Sequence, residues 1–220
     1  MRWNTRNPRS GAICLHPWKF SSASDSVRFP WNVFPRFSQD LRVKTILSTA
    51  QKAGEYVTMQ LKELIQKLEA LTGKRLSMDD LSETLARENQ SKAYYKEFLK
   101  LQAERYYPST LTLQMYMLFA THLNIGTPET LDLFRSFAED IKQYPKYDGT
   151  RIVWVHLLPF YQETLKHYFN LNRDYQIQCT EMNLDYMDEL DTTHPLEALA
   201  TKMLNNLYNG PYEKKANMLV

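Results

Sequence analysis

The sequence predicts an α/β protein with a large helical region, in which helices precede the start of a parallel α/β domain. Three observations carry this. Glycine is scarce, at 6 in 220 residues, while aromatics reach 13%, so bulky packed side chains outnumber flexible turns. From about Thr45 to Ile141 apolar residues recur at helical spacing. After Gly149 the order becomes strand, helix, strand, helix, the alternation that opens a parallel, Rossmann-like sheet.

The helices come first. Val57, Leu61, Leu64, Ile65, Leu68 and Leu71 share one face of a helix, with Lys62, Glu63, Gln66 and Lys67 opposite. Gly73 supplies the left-handed residue that commonly ends a helix. Ser77 and Asp80 form a capping pair for the next, which carries Leu81, Leu85, Phe98 and Leu101 and stops before Pro108. Residues 106–128 hold no Lys, Arg, Asp or Glu. Pro108, Ser109, Gln114, His122 and Asn124 nevertheless make them too polar for a membrane span. Leu111, Met115, Leu118 and Phe119 suit a helix buried in protein. Gly126 closes it, and Thr127-Pro128-Glu129 opens another: a capping threonine, a first-turn proline, then an acid near the positive helix end. Leu131, Leu133, Phe134, Phe137 and Ile141 form its apolar side.

The run RIVWVHLL predicts a strand buried on both faces, Phe160 to Asn170 a helix, and YQIQCTEM a second strand. Pro195 to Tyr208 predicts a last helix with Leu196, Leu199, Met203 and Leu207 inward. Two strands are fewer than a buried parallel sheet normally holds, so the chain is expected to stop partway through a domain. The expected division is a basic aromatic stretch (1–44), a helical region (45–148) and an incomplete α/β domain (149–220).

Composition narrows the function classes. Hydrophobic residues at 43% and charged residues at 24% exclude a disordered tail or a fibrous repeat. A net charge of +2 argues against a nucleic-acid or anionic-membrane partner. The charge is uneven, however. Residues 1–44 hold eight Lys and Arg against Asp25 and Asp40, with Trp3, Trp18, Trp31 and four prolines. A basic aromatic arm can bind single-stranded nucleic acid, and an organelle transit peptide shares its Arg and Ser content. No nucleic-acid-binding fold follows it, and three Trp with four Pro make a poor amphipathic helix, so irregular chain is preferred. Two cysteines cannot build a disulfide framework and no secretory start is present, so a reducing cytoplasm is expected.

Candidate chemistry is sparse. The six glycines are scattered, so no phosphate-binding loop forms. His156 and His167 lack the spacing of a zinc helix, and no metal site is expected. Asp185, Asp188, Glu189 and Asp191 lack the glycine and ligand spacing of a calcium loop, and read as a solvated lead into the last helix. Cys14 and Cys179 cannot themselves hold an iron–sulfur cluster, and Cys179 reads as small buried filler. No GxSxG elbow occurs. A CoA-binding module with phosphates at the helix start near Pro159 is a further alternative.

Four segments together resemble the 2-hydroxyacyl-CoA dehydratase family, which also includes benzoyl-CoA reductase subunits and the 2-hydroxyglutaryl-CoA dehydratase D-component. They are EYVTMQLKELIQKLEALTGKRLSMDDL, GTPETLDLFRSFAEDI, RIVWVHLLPFYQETLKHYFN and MNLDYMDELDTTHPLEALATKMLNNLYNG, in order over residues 55–210. The resemblance implies dehydration of (R)-2-hydroxyacyl-CoA through a ketyl radical. The electron comes from an ATP-hydrolysing activator by way of a [4Fe–4S] cluster held between two α/β domains, usually in a heterodimer. The cluster cysteines are expected before the helices at 45–145 and beyond the LYNG helix, where this sequence has no match. No catalytic or cluster residue is therefore transferred. The chain is expected to be an internal fragment that is inactive alone and binds no cluster. The alternatives are a benzoyl-CoA reductase-like subunit or a non-enzymatic helical interaction remnant.

Overall fold

A computed structural model describes residues 39–156, 158–159 and 162–206, with side chains from residue 49 onward. The basic stretch up to residue 38, with Cys14, lies outside the described residues, as do Leu157, Phe160, Tyr161 and everything from Leu207 on. Four long helices come first: α1 (Gln39–Thr72), α2 (Met78–Gln102), α3 (Leu111–His122) and α4 (Pro128–Asp140). They are followed by β1 (Thr150–Trp154), α5 (Glu163–Phe169), β2 (Tyr175–Thr180) and α6 (Pro195–Asn205). Helices followed by the start of a parallel α/β unit is thus the observed fold class.

The helix boundaries follow the local chemistry of the sequence. Gly73, at φ +67, ends α1. The Ser77 hydroxyl accepts the Asp80 N–H at 3.2 Å and starts α2. Thr127 does the same for Thr130 at the head of α4, and Gly126 before it sits at φ +93. A Cβ on Gly126 would meet Thr84 Cγ2 at 2.8 Å, so α2 and α4 approach through that glycine. Thr110 caps α3 by accepting the Leu113 N–H at 3.0 Å, a signal the sequence reading passed over.

The main core lies where α2, α3 and α4 meet, around Tyr95, Phe98, Tyr107, Met117, Phe134 and Ile141. Phe134 is fully buried and stacks on Tyr95 with ring centroids 4.9 Å apart. A second cluster docks Tyr186, Leu190 and Ala198 against Leu85 of α2. A third joins Leu111 of α3 to Leu158 and Ile177 beside the sheet. Buried Gln176 ties β2 to the α2–α3 connection, its Oε1 accepting the Tyr107 N–H at 2.7 Å.

Within the described residues the sheet has two parallel strands, paired from Thr150↔Tyr175 to Trp154↔Thr180 with an irregularity after Ile152. The expectation of a β1 buried on both faces fails: its residues are exposed or half-buried, with Val153 45% exposed. β1 has β2 on one edge and little packed over it, so an apolar run alone did not secure burial.

Four helices also differ from expectation. The helix α5 starts at Glu163, and α6 is described only to Asn205, with Met203 half exposed rather than inward. The buried residues of α6 are instead Leu196, Ala198 and Ala200, of which Ala198 packs in the cluster with Leu85 and Tyr186. Along α1 the apolar stripe is open, Leu64, Leu68 and Leu71 being 50%, 50% and 82% exposed. Phe119 of α3, expected inward, is also exposed.

Candidate functional site

Parallel strands linked through a helix bring their carboxyl ends to one edge, and in open α/β sheets ligands bind just outside that edge. Here β1 delivers His156 and β2 delivers Thr180, Glu181 and Met182. His156 adopts φ +72, a left-handed conformation that costs a non-glycine residue about 1–3 kcal/mol. Its backbone N–H donates to Glu181 Oε2 at 3.0 Å, and Glu181 is fully buried. A buried carboxylate thus holds the turn after β1 in its strained form and leaves the imidazole exposed.

Beside this turn lies a cavity of about 110 Å³, lined by Gln114, Met115, Leu118 and Phe119 of α3 and by His156, Leu158, Thr180 and Met182. Most of the lining is apolar, with His156, Thr180 and Gln114 as polar points. This arrangement suits an aliphatic or acyl group bearing a polar end. The helix α5 starts four residues after Pro159, has no side-chain cap and carries Glu163 in its first turn. An acid there disfavours a phosphate.

A second cluster, which sequence reasoning missed, joins α2, α3 and α6. Glu88, 3% exposed, receives Lys92 Nζ at 2.7 Å and Lys202 Nζ at 2.8 and 2.9 Å on its two oxygens. Lys92 also donates to the Asp188 carbonyl at 3.1 Å. Burial pushes its ammonium below the ordinary 10.5, with Glu88 opposing the shift. Nearby, His122 Nε2 meets Asp185 Oδ2 at 2.6 Å, and the hydrogen bond to that carboxylate holds the imidazole above its ordinary 6.5. Asn183 is 2% exposed, and its amide faces the Tyr95 hydroxyl; Asp185 Oδ1 has no hydrogen-bond partner. These groups surround a cavity of about 230 Å³.

The signal for it in the sequence is the four-residue spacing of Glu88 and Lys92, which ordinarily marks a surface pair. Its burial depends on α6 and on the 185–190 loop, brought in from a hundred residues away. The acidic run accordingly splits. Asp188 and Glu189 are exposed, Asp185 is paired inside, and Asp191 is held down to about 2 by hydrogen bonds from Thr193 and His194. The reading of the whole run as a solvated helix lead is corrected for Asp185.

The donor set does not fit a [4Fe–4S] cluster. Such clusters take about four cysteine thiolates, and the whole sequence has two cysteines. Cys179 lies within β2 opposite Val153, and burial pushes its thiol up to about 11, so it stays protonated. Among the described residues no three His, Cys, Asp or Glu side chains gather to hold a metal. His167 lies edge-on to Tyr168 on α5. No helix of the described residues is long and apolar enough to cross a membrane.

Among known protein families, the model described as 2-hydroxyglutaryl-CoA dehydratase, D-component, matches residues 30–220. No curated protein and no solved structure matches the chain.

Proposed function

The chain belongs to the 2-hydroxyglutaryl-CoA dehydratase D-component family, and from that premise we propose that it is one component of a dehydratase assembly acting on 2-hydroxyacyl-CoA thioesters. Its partners in this reading are a second subunit and an ATP-hydrolysing activator, in the reducing cytoplasm. The iron–sulfur cluster of the assembly is held by cysteines other than the two in this sequence. The chain itself contributes a helical region, 45–148, and an α/β region, 149–220.

Its chemical part is to bind and orient the thioester. The apolar slot between α3 and the carboxyl edge of the sheet takes the acyl chain and shields it from water. His156, fixed by the Glu181 carboxylate, stands at the polar end, where an exposed imidazole can hydrogen-bond a hydroxyl or carbonyl oxygen. The observation that carries this reading is the family match over 30–220, which spans both strands and the slot at their carboxyl edge.

Two measurements test it. Anaerobic incubation of the pure chain with iron and sulfide should leave it without a stoichiometric cluster by iron analysis and EPR. With activator, ATP and 2-hydroxyglutaryl-CoA, the pure chain should give no turnover. A full cluster or steady dehydration by the chain alone would refute the division of labour. Failure of Leu118→Trp, which fills the slot, to weaken acyl-CoA binding would refute the acyl site.

A further inference from the structure

The lysine cluster between α2, α3 and α6 leaves a charge and several hydrogen-bonding groups unmatched. Two ammonium groups share the Glu88 carboxylate, while Asp185 is already taken by His122. When His122 is protonated against Asp185, one positive charge is left over around a cavity in which Glu88, Lys92 and Asn183 are buried, an expensive arrangement without a counter-ion. Lys92 is served by Glu88, the Asp188 carbonyl and the Tyr186 ring, whose centroid is 4.8 Å away, but the third N–H of Lys202 and an amide hydrogen of Asn183 call for an acceptor. Asp185 Oδ1 calls for a donor. A bare carboxylate satisfies the first need and not the second; a carboxylate that also carries a hydroxyl satisfies both. The volume, about 230 Å³, is on the order of eight waters at ~30 Å³ each. That admits a small organic acid and excludes a nucleotide.

We propose that the cavity bounded by Glu88, Lys92, His122, Asn183, Asp185 and Lys202 binds a small hydroxycarboxylate. The carboxylate lies against the two lysine ammonium groups and the Asn183 amide, and the hydroxyl donates to Asp185 Oδ1. The site stands apart from the acyl slot at the sheet edge, and the dehydratase reading is not needed for it.

Calorimetry on the full chain with malate, succinate and inorganic phosphate tests the assignment. Malate should bind, and succinate, which lacks the hydroxyl, should bind about tenfold more weakly, as expected for one hydrogen bond to a charged group. Lys202→Met removes the surplus charge and leaves Glu88 and Lys92 as a neutral pair. This variant should keep its circular dichroism spectrum and lose malate affinity by about tenfold or more, with Lys202→Arg restoring much of it. A second measurement needs no variant: malate should slow acetylation of Lys202, whose side chain is 25% exposed, relative to exposed Lys62. Equal binding of malate and succinate, or phosphate binding alone, overturns the hydroxycarboxylate assignment. Absence of binding and of protection means that the cavity holds solvent only, and overturns the site.

Discussion

Replacing Glu88 by glutamine removes the one negative charge that two lysines share, while leaving the side chain's shape almost unchanged. Removing one partner of a buried ion pair costs about 3–5 kcal/mol, because the remaining charge stays out of water. Two features place this substitution towards the lower end. The Lys202 side chain is 25% exposed and can turn to solvent, whereas that of Lys92 is 4% exposed and cannot. Lys92 can instead give up its proton. Burial already holds its ammonium below 10.5, and Glu88 is the largest influence in the other direction, so its removal lowers the value further. The expected loss at neutral pH is about 3 kcal/mol.

The sign with pH follows. Below the folded-state pKa of Lys92 the penalty is present in full. Between that value and the ordinary 10.5 the unfolded chain binds the extra proton, so the variant recovers stability as pH rises. Urea denaturation of wild type and variant, at neutral and alkaline pH, measures both effects. A loss under about 1 kcal/mol, or a deficit that grows with pH, refutes the buried-cluster reasoning. The triple variant Glu88→Leu, Lys92→Met, Lys202→Met should be close to neutral, since well-packed apolar groups replace buried ion pairs at little cost.

Three other outcomes are expected. The His122–Asp185 pair raises the imidazole above 6.5, so its contribution is complete below that pH and is lost as pH rises through the folded value. Denaturation midpoints across this window should fall for wild type and stay flat for His122→Asn; equal slopes would contradict the pairing. Phe134→Ala, at a fully buried ring stacked on Tyr95, should cost about 3–5 kcal/mol in urea melts. A loss near 1 kcal/mol would contradict the packing described for α2 and α4. Cys179, with its thiol pushed up to about 11 by burial, should react slowly with a disulfide reagent until the protein is unfolded, and reaction at the rate of a free thiol would contradict its enclosure.

The helix boundaries were legible because their causes lie within four residues. Ser77 caps Asp80, Thr127 caps Thr130, and Gly73 and Gly126 take the left-handed turns that their positions implied. The parallel strands were legible as β-branched runs separated by helical sequence. The candidate sites were much less so. His156 was considered as a metal ligand, yet its notable property is a backbone angle held by Glu181, 25 residues away. Glu88 and Lys202 meet across 114 residues, and no periodicity records that α6 will lie over α2.

By itself the sequence determined which segments are helix and strand, where they stop, and which side of each is apolar, since these depend on near-neighbour sterics and hydrogen bonds. It also carried the family resemblance, through the order of four segments. Only the tertiary structure decided which apolar sides are covered, as in buried Phe134 against exposed Leu71. It alone turned an ordinary helical Glu–Lys pair into a buried cluster joined by a second lysine. Burial and charge pairing are properties of what packs opposite a residue, and that partner comes from elsewhere in the chain.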